Sequence, residues 1–280
     1  MLELRAMKMP EPAQICVLIT GASSGIGAGL AREFSRRGMR VALVARRIAQ
    51  LEVLGTELRA TGVPASAHCG DVTVDGDIAR VVGELAALGV APHIVIANAG
   101  FGVVGNAANL DLADYRRQFE TNVFGVVRTL HESLPALRNT QGRFVIMGSV
   151  AGHLSSAGSS PYTMSKFAVR ALAEALHGEL RSVGVSCTLI SPGFVDSGIR
   201  RVDNRGGLHA HAKDPIPAWL RMKTDDAARI MARGILRGKK EVVVTTHAKI
   251  AVFMARHLPR FTRWVLLRAG RGSRPEPKKT

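Results

Sequence analysis

The sequence predicts an α/β fold in which helices cover both faces of a doubly wound, seven-stranded parallel sheet. Seven short runs rich in β-branched residues alternate with segments whose apolar residues recur every three or four positions. This alternation predicts right-handed β-α-β crossovers. The strands are almost continuously apolar, as expected when both faces of a sheet are covered. With 280 residues and 46% apolar composition, the chain can form one large domain with a sizeable core.

The predicted elements follow one another regularly along the chain. Strands are expected at residues 15–20, 40–45, 64–68, 93–97, 142–148, 185–190 and 241–245. Helices are expected between them, at residues 25–38, 48–61, 74–88, 111–137, 160–183 and 224–237. We therefore divide the chain into a polar lead (1–14), one domain (15–246) and a tail (247–280). Residues 198–222, rich in Gly and Pro, interrupt the alternation and are expected to form a substrate lid.

The tail (247–280) combines a basic charge with a helical pattern. Its six Arg and three Lys against one Glu give +8, half of the formal net charge of +16. Apolar residues follow a helical spacing that Pro259 should divide, namely Ile250, Phe253, Met254, Leu258, Phe261, Trp264, Val265 and Leu267. Such a segment can lie on an anionic membrane surface or pack on the core or a second subunit, and both alternatives stay open. A nucleic-acid partner is not expected, since no binding module is recognisable.

The cysteines and the first residues of the sequence indicate the cellular compartment in which the protein is expected. Cys16, Cys69 and Cys187 lie in or beside apolar runs without metal-ligand spacing, which favours buried thiols in a reducing environment. No apolar run approaches a membrane span, and the first residues lack the apolar stretch of a signal peptide. We therefore expect a cytoplasmic protein, with peripheral contact at the inner membrane surface as the alternative that the tail leaves open.

A glycine-rich turn follows the first strand and opens a helix. Gly21 permits the tight turn, Gly25 allows a ligand to approach the backbone, and Gly27 lets the helix pack on the strand. Backbone N–H groups at such a helix start bind the pyrophosphate of a dinucleotide. The turn also contains Ser23, Ser24 and Ile26.

The second strand ends in Arg46-Arg47, and no acidic residue occurs between Phe34 and Leu51. A carboxylate at this place binds a free ribose 2′-hydroxyl, whereas arginine accommodates a 2′-phosphate. The pair therefore favours NADP(H) over NAD(H). The alternative is that both arginines belong to a solvated helix start.

Tyr162 and Lys166, four residues apart at the start of a predicted helix, project from one face of that helix. A phenol is a poor acid–base catalyst at neutral pH, because its unperturbed pKa is near 10. An adjacent ammonium group, helped by a nicotinamide cation, should lower this pKa and let Tyr162 exchange protons. Taken alone, such a pair is common on protein surfaces, so its context decides the interpretation.

These motifs together resemble the classical short-chain dehydrogenase/reductase family, which has a Rossmann-type fold, and within it the NADP-preferring type. The resemblance covers about residues 15 to 245 and adds, in the order of the family, Asp71-Val72, Asn98-Ala99-Gly100, Asn122, Ser149 and Pro192-Gly193. The chain has Ala97 where the family usually has a further Asn. It also has Asp196-Ser197 where many members have Thr.

The resemblance implies a role for each matching residue in catalysis. Tyr162 would exchange the proton with the substrate oxygen, and Ser149 would hydrogen-bond that oxygen. Lys166 would bind the nicotinamide ribose and tune Tyr162, while Asn122 would hold a water in a proton relay. Structural alternatives are that Ser149 caps the strand and that Asn122 satisfies backbone groups.

The resemblance also implies cofactor contacts. Asp71 and Val72 would lie at the adenine, and Asn98, Ala99 and Gly100 would line the cofactor. Pro192, Gly193 and Val195 would close over the nicotinamide.

The expected function is the NADP(H)-dependent interconversion of a secondary alcohol and a ketone or aldehyde. The residues expected around the reacting centre are apolar and indicate an apolar, steroid-like, acyl or aromatic substrate. These residues are Phe101, Val103, Val104, Val150, Leu154 and Phe194.

No metal is assigned, since His209 and His211 with Asp203 and Asp214 lack a ligand spacing. The alternatives are a catalytically idle nucleotide-binding scaffold and a membrane-associated lipid-binding protein. Family habit implies a homodimer or homotetramer through the helices at 111–137 and 160–183.

Overall fold

A computed structural model describes residues 10–201, 203–204, 214 and 216–269 of the chain. Its strands are β1 (Cys16–Thr20), β2 (Arg40–Ala45), β3 (Ala65–Cys69), β4 (Pro92–Ala97), β5 (Arg143–Met147), β6 (Ser186–Ser191) and β7 (Glu241–Val243). They form one parallel sheet in the order β3-β2-β1-β4-β5-β6-β7. The seven predicted strands are confirmed, each within one or two residues at either end.

The strand order places a crevice at the centre of the sheet. β1 lies between β2 and β4, so that Val17 is opposite Val41 on one side and Ile94 on the other. The order of the strands reverses between β1 and β4. Ligands of open α/β sheets bind beyond the carboxyl ends of the strands at such a reversal.

Nine α-helices are found in the described part of the chain. They are α1 (Gly25–Arg36), α2 (Ile48–Arg59), α3 (Asp77–Ala87), α4 (Leu112–Phe119), α5 (Gly125–Thr140), α6 (Ser160–Glu179), α7 (Thr224–Leu236), α8 (Thr246–His257) and α9 (Pro259–Ala269). The prediction of one helix over 111–137 is wrong in one respect, because a π-helical segment, Glu120–Phe124, separates α4 from α5. The side chain of Asn122 lies in that segment and makes the contacts described below.

Two apolar layers hold the helices on the sheet. Alternate residues of β1 enter opposite layers, since Val17 and Ile19 face α1, α2 and α7, whereas Cys16 and Leu18 face α3, α5 and α6. Phe34 in the first layer and Phe144 in the second are completely buried. Each such side chain contributes about 1.5–3 kcal/mol through the area it removes from water.

The thiols divide into two kinds. Cys16 and Cys187 are buried, and burial raises the pKa of each to about 12. The expectation of a buried thiol is wrong for Cys69, which is exposed at the end of β3.

The tail begins with two helices that meet at Pro259, as the sequence predicted. In α8, Ala248 and Val252 are buried against the body of the protein. Arg256 of the same helix donates a 2.5 Å hydrogen bond to Glu241 of β7. Among the described residues, no helix has the length and apolarity needed to cross a bilayer. Residues 270–280 of the tail and 1–9 of the lead lie outside the described part.

Candidate active site

The glycine-rich turn joins the end of β1 to the first turn of α1. Gly21 and Gly25 have φ angles of +65° and +56°, a region that other residues rarely adopt. A Cβ atom on Gly27 would lie 2.4 Å from the carbonyl oxygen of Gly21. Both positions thus depend on glycine, and the turn presents its backbone at a helix N-terminus, while its contact with a cofactor stays a prediction.

Asn98, at the end of β4, holds this turn in place. Its Nδ2 donates to the carbonyl oxygens of Thr20 (2.9 Å) and Gly21 (3.2 Å). In return, the Thr20 hydroxyl accepts hydrogen bonds from the backbone N–H groups of Asn98 (3.0 Å) and Ala99 (3.1 Å). The side chain of Asn98 thus shapes the wall of the crevice, and a direct contact of Asn98, Ala99 or Gly100 with a cofactor stays a prediction.

Two arginines lie beside the turn, at the end of β2. Arg47 donates from one guanidinium nitrogen to the hydroxyls of Ser23 (2.8 Å) and Ser24 (3.0 Å). Arg46 is 70% exposed and lies 3.8 Å from a carboxylate oxygen of Asp71. Helix α2 has no acidic residue in its first turn. Cations and hydroxyls therefore converge at one rim, where an anionic group can bind. Ile26 lies partly buried on the core side of the turn.

Asp71 and Val72 form the next part of the rim. A carboxylate oxygen of Asp71 accepts hydrogen bonds from the backbone N–H (2.9 Å) and hydroxyl (2.8 Å) of Thr73. Val72 is buried, and its carbonyl oxygen accepts a 2.7 Å hydrogen bond from Arg128. The segment is held rigidly, while its contact with an adenine ring stays a prediction.

The predicted catalytic residues meet at the carboxyl end of β5. Tyr162 and Lys166 lie on the first two turns of α6, and the Lys166 ammonium is 5.7 Å from the centre of the Tyr162 ring. The hydroxyl of Ser149 lies beside that of Tyr162 and acts to lower the pKa of the phenol. Ser149 also caps the short turn Val150–Gly152, because its Oγ accepts a 3.1 Å hydrogen bond from the Ala151 N–H. The structure therefore gives Ser149 a capping function as well as a place beside the phenol.

Burial sets the protonation of both catalytic groups. It raises the pKa of Tyr162, while the Ser149 hydrogen bond and the charge of Arg200 act in the opposite direction. Burial also lowers the pKa of Lys166 to about 8. At Tyr162 burial thus outweighs the charges that this chain itself supplies, and the lowering of its pKa expected with a nicotinamide cation stays a prediction. Lys166 directs its ammonium to the Met147 carbonyl oxygen, at 2.8 Å, rather than to the phenol.

Asn122 binds the loop that follows β4. Its Oδ1 accepts from the Phe101 N–H (3.1 Å), and its Nδ2 donates to the Phe101 carbonyl oxygen (3.0 Å) and the Ser165 hydroxyl (3.3 Å). Both groups of the amide are thereby used in positioning the loop. The water relay that the family resemblance implies stays a prediction.

Gln118 has a parallel function that the sequence analysis missed. It is fully buried, donates to the Phe101 carbonyl oxygen at 2.9 Å and accepts from the Val103 N–H at 2.6 Å. The loop thus held lies against the catalytic ring, since a Cβ atom on Gly102 would be 3.5 Å from Tyr162. The available signal was the spacing of four residues between Gln118 and Asn122 on one helix.

The loop after β6 packs against the start of α8. The Pro192 carbonyl oxygen accepts a 2.9 Å hydrogen bond from the Val150 N–H. A Cβ atom on Gly193 would lie 2.2 Å from the Thr245 hydroxyl, so that only glycine fits. Phe194 stacks on His247 with ring centres 5.3 Å apart. Val195 is buried and pairs with Met222 in an isolated bridge.

The described residues of the lid (198–222) contact the site through charged groups. Arg200 forms a bidentate ion pair with Asp214, at 2.7 and 2.8 Å, and its guanidinium is 5.9 Å from the centre of the Phe194 ring. Arg221 bridges Asp214 (3.3 Å) and Asp196 (3.0 Å). These cations hold the pKa of Asp214 at about 2, with the Arg200 hydrogen bond as the main cause.

The described residues of the lid and of the neighbouring loops bear on the metal-site question and on the predicted substrate pocket. Asp214 serves an ion pair, and no cluster of metal-ligating side chains occurs within the described ranges. His209 and His211 lie outside those ranges. Of the predicted pocket residues, Phe101 and Phe194 are partly exposed at the site, whereas Val103 is wholly buried and packs inside the protein.

Comparison with known proteins agrees with this geometry. The model of the short chain dehydrogenase family matches residues 15–206. An uncharacterized oxidoreductase of Myxococcus xanthus is 36% identical over 253 residues, covering 90% of this chain and 95% of the relative. The 11-beta-hydroxysteroid dehydrogenase-like 4A of Arabidopsis thaliana is 33% identical over 251 residues, covering 87% and 80%.

A solved structure is similar over almost the whole chain. The short-chain dehydrogenase from Sphingobium yanoikuyae, solved in complex with NADPH, is 27% identical with a TM-score of 0.72, and the match covers 95% of this chain and 98% of that one. The family match, the parallel sheet and the grouping of Ser149, Tyr162 and Lys166 lead to one conclusion. The chain belongs to the short-chain dehydrogenase/reductase family of oxidoreductases.

Proposed function

We propose that the protein is an NADP(H)-dependent oxidoreductase that interconverts a secondary alcohol and a ketone or aldehyde on an apolar substrate. The observation that carries the proposal is the grouping of Tyr162, Ser149 and Lys166 at the strand ends that also bear the glycine-rich turn. A proton-exchanging phenol next to a dinucleotide-type turn is the combination that carbonyl reduction requires.

The residues at the turn fit a dinucleotide phosphate. Gly21, Gly25 and Gly27 keep side chains away from the backbone N–H groups at the start of α1. Arg46 and Arg47, with the Ser23 hydroxyl, would bind the 2′-phosphate of the adenosine ribose. When bound, the nicotinamide supplies or accepts the hydride. The NADPH complex of the Sphingobium yanoikuyae relative supports this choice of cofactor.

Burial prepares Tyr162 to act as an acid. Because its pKa is raised, the phenol keeps its proton at neutral pH and can donate it to the oxygen of a carbonyl substrate. The Ser149 hydroxyl would donate a second hydrogen bond to that oxygen. Lys166, with a pKa of about 8, is able to release or accept a proton close to neutral pH. Reduction is the proposed physiological direction because NADPH is the proposed cofactor.

Apolar side chains near Tyr162 support an apolar substrate. Phe101 and Phe194 line the approach from the loops after β4 and β6, and Val104 is 59% exposed at the same entrance. The name of the Arabidopsis thaliana relative points to a steroid-like molecule. We propose a lipid-, steroid- or aromatic-like ketone as the substrate class.

Oligomerisation would use the outer face of α5 and α6. Phe124, Met164 and Phe167 are 41–52% exposed there or in the adjoining π-helical segment. We propose a homodimer or homotetramer through this face. Mass measurement by light scattering tests it.

The experiment that tests the proposed function is a titration with NADPH and with NADH, followed by nicotinamide fluorescence. The wild type should bind NADPH more tightly than NADH. The preference should fall at least about tenfold in Arg46→Ala/Arg47→Ala, because charge-assisted hydrogen bonds to the phosphate are lost. Arg181→Ala/Arg229→Ala, which removes two exposed arginines elsewhere, is the matched control and should keep the preference.

Turnover is tested separately with NADPH and a panel of steroid, acyl and aromatic ketones. Tyr162→Phe should bind NADPH normally and lose turnover. Equal affinity for both cofactors, unchanged in the double variant, would contradict the NADP(H) assignment. Tight NADPH binding without turnover on the whole panel would instead favour a catalytically idle nucleotide-binding scaffold.

A further inference from the structure

Helices α8 and α9 and the residue that joins them expose seven large apolar side chains. Each is 40–64% exposed, although side chains of this kind are usually buried. We call the set the apolar face, and it consists of Ile250, Phe253, Leu258, Phe261, Trp264, Val265 and Leu267. Phe261, Trp264 and Val265 follow the three- and four-residue spacing of one helical stripe. These exposed residues therefore lie on one side of α9, as their spacing in the sequence requires.

Residues on the opposite sides of the two helices make contacts within the chain. Ala248 and Val252 of α8 pack on the body of the protein, and Arg256 is tied to Glu241. In α9, Thr262 and Leu266 are half-buried. The hydroxyl of Thr262 donates a 3.0 Å hydrogen bond to the Leu258 carbonyl oxygen at the junction of the helices. The body of this chain thus covers one side of α8, α9 packs against α8, and the apolar face is left open.

The charge around the apolar face has one sign. Residues 246–269 contain Lys249, Arg256, Arg260, Arg263 and Arg268 and no acidic residue. The guanidinium of Arg268 lies 4.4 Å from the centre of the Trp264 ring and forms a cation–π contact with it. A partner that covers this face must therefore be apolar in part and negatively charged.

A basic cavity lies at the base of α8. It has a volume of about 350 Å³ and opens between α7, β7 and α8. Four cationic residues line it, namely Arg233, Arg237, Lys239 and Lys249. The lining carboxylate, Glu241, is already paired with Arg256 and with His153. The cavity thus offers an anionic headgroup a site beside the apolar face.

We propose that α8 and α9 dock the protein on an anionic phospholipid bilayer. The aromatic side chains would enter the headgroup region, and the arginines would pair with lipid phosphates. A second copy of the chain fits this face poorly. A twofold contact would bring four cations of one copy near the same four of the other, without a carboxylate from either pair of helices, namely Lys249, Arg260, Arg263 and Arg268.

The proposal also places the active site with respect to the bilayer. The first turn of α8 lies against the loop after β6, where His247 accepts a 3.2 Å hydrogen bond from the Phe194 N–H. A protein docked through α8 and α9 holds this loop close to the lipid. An apolar substrate dissolved in the bilayer then has a short path to the site. The docking itself does not depend on the substrate or on the cofactor.

The test is cosedimentation of the full chain with vesicles of phosphatidylcholine alone or mixed equally with phosphatidylglycerol. The protein should bind the anionic vesicles, bind the neutral ones much less, and dissociate at high salt. Phe261→Ser/Trp264→Ser should lower the partition coefficient at least about tenfold, because apolar insertion is lost. Arg260→Gln/Arg263→Gln should lower it about fivefold for each charge, and only on anionic vesicles.

A matched control removes exposed apolar side chains elsewhere. Val53 and Leu88 are 73% and 70% exposed on other helices, and Val53→Ser/Leu88→Ser should bind like the wild type. Unchanged melting curves show that each variant folds. The sequence has two tryptophans, so Trp219→Phe leaves Trp264 as the reporter, and its emission should shift to the blue on anionic vesicles.

Two results would overturn the proposal. One is equal binding of wild type and Phe261→Ser/Trp264→Ser to anionic vesicles, without a shift in Trp264 emission. The other is a wild type that binds no vesicle and whose mass falls by half in the same variant, which would assign the apolar face to a contact between copies. An acidic protein partner is indicated if polyglutamate binds and vesicles do not, and this too contradicts the proposal.

Discussion

The side-chain amide of Asn204 pairs with the backbone of Val104 through two hydrogen bonds, of 2.8 Å and 3.0 Å. Its Nδ2 donates to the Val104 carbonyl oxygen, and its Oδ1 accepts from the Val104 N–H. The contact joins the lid to the loop after β4, a hundred residues earlier in the chain. The pair thus holds Asn204 against the loop that also carries Phe101, beside the proposed substrate entrance.

We predict that Asn204→Ala weakens substrate binding without unfolding the protein. The two hydrogen bonds, at about 1 kcal/mol each, hold Asn204 against the loop after β4 beside the proposed substrate entrance. Without them kcat/KM should fall by about fivefold to thirtyfold, mainly through KM. The measurement is steady-state kinetics on the best ketone. Asn139→Ala, a change on the exposed side of α5, serves as control. A loss of kcat with normal KM would show that the pair has another function.

Lys166→Met should abolish turnover and yet stabilise the fold at neutral pH. Burial lowers the pKa of Lys166 from 10.5 to about 8, so the folded state disfavours the ammonium. A shift of this size corresponds to about 3 kcal/mol at most. The hydrogen bond to the Met147 carbonyl offsets about 1 kcal/mol of it. We therefore expect a net gain of about 1–2 kcal/mol in the free energy of unfolding.

The pH dependence of that gain has a definite sign. The unfolded wild type keeps its Lys166 proton up to pH 10.5, whereas the folded state loses it near pH 8. The unfolded state therefore binds more protons between these values, and the stability of the wild type rises with pH there. The advantage of Lys166→Met should be full below pH 8 and should shrink towards pH 10.5. Urea unfolding at neutral and alkaline pH measures it, and a constant difference would refute the explanation.

Arg200 and Arg221 should have different effects on the pH profile. Both pair with Asp214, but the charge of Arg200 also lowers the pKa of Tyr162. Arg200→Gln should therefore move the alkaline rise of alcohol oxidation to higher pH, since the phenol loses its proton later. Arg221→Gln removes the other cation on Asp214 and should leave the profile in place. The measurement is kcat/KM against pH, and equal profiles for both variants would contradict the assignment.

Gly27→Ala and Gly83→Ala should change stability in opposite directions. A Cβ on Gly27 meets the Gly21 carbonyl oxygen at 2.4 Å, and this clash should cost about 1–3 kcal/mol and weaken NADPH binding. A Cβ on Gly83, within α3, meets nothing within 4 Å. Alanine there should stabilise the helix by up to about 1 kcal/mol. Urea unfolding of the two variants, with NADPH titration of the first, tests both effects.

The sequence was sufficient to predict the sheet and the glycine-rich turn because both depend on local signals. An apolar strand, a positive-φ glycine and a helix start are each recognisable within about ten residues. The pairing of Tyr162 with Ser149 needed the family resemblance, since thirteen residues of sequence separate them. The contacts of Gln118 and Asn204 were not predictable, because each joins distant segments through a polar side chain that has no special pattern. The pKa of Tyr162 depends on burial, which a sequence motif does not measure.

The π-helical segment Glu120–Phe124 makes the number of residues in this stretch as important as their identity. Such a segment holds one residue more than the α-helical path through the same turn. Deleting one residue at 121 would restore a regular helix and shorten the spacing between Gln118 and Asn122 from four residues to three, so the Asn122 side chain would point in a different direction from that of Gln118. Its amide would leave Phe101 and Ser165. A deletion that preserves every functional side chain is thus expected to inactivate the enzyme, so this helix tolerates substitutions better than changes of length.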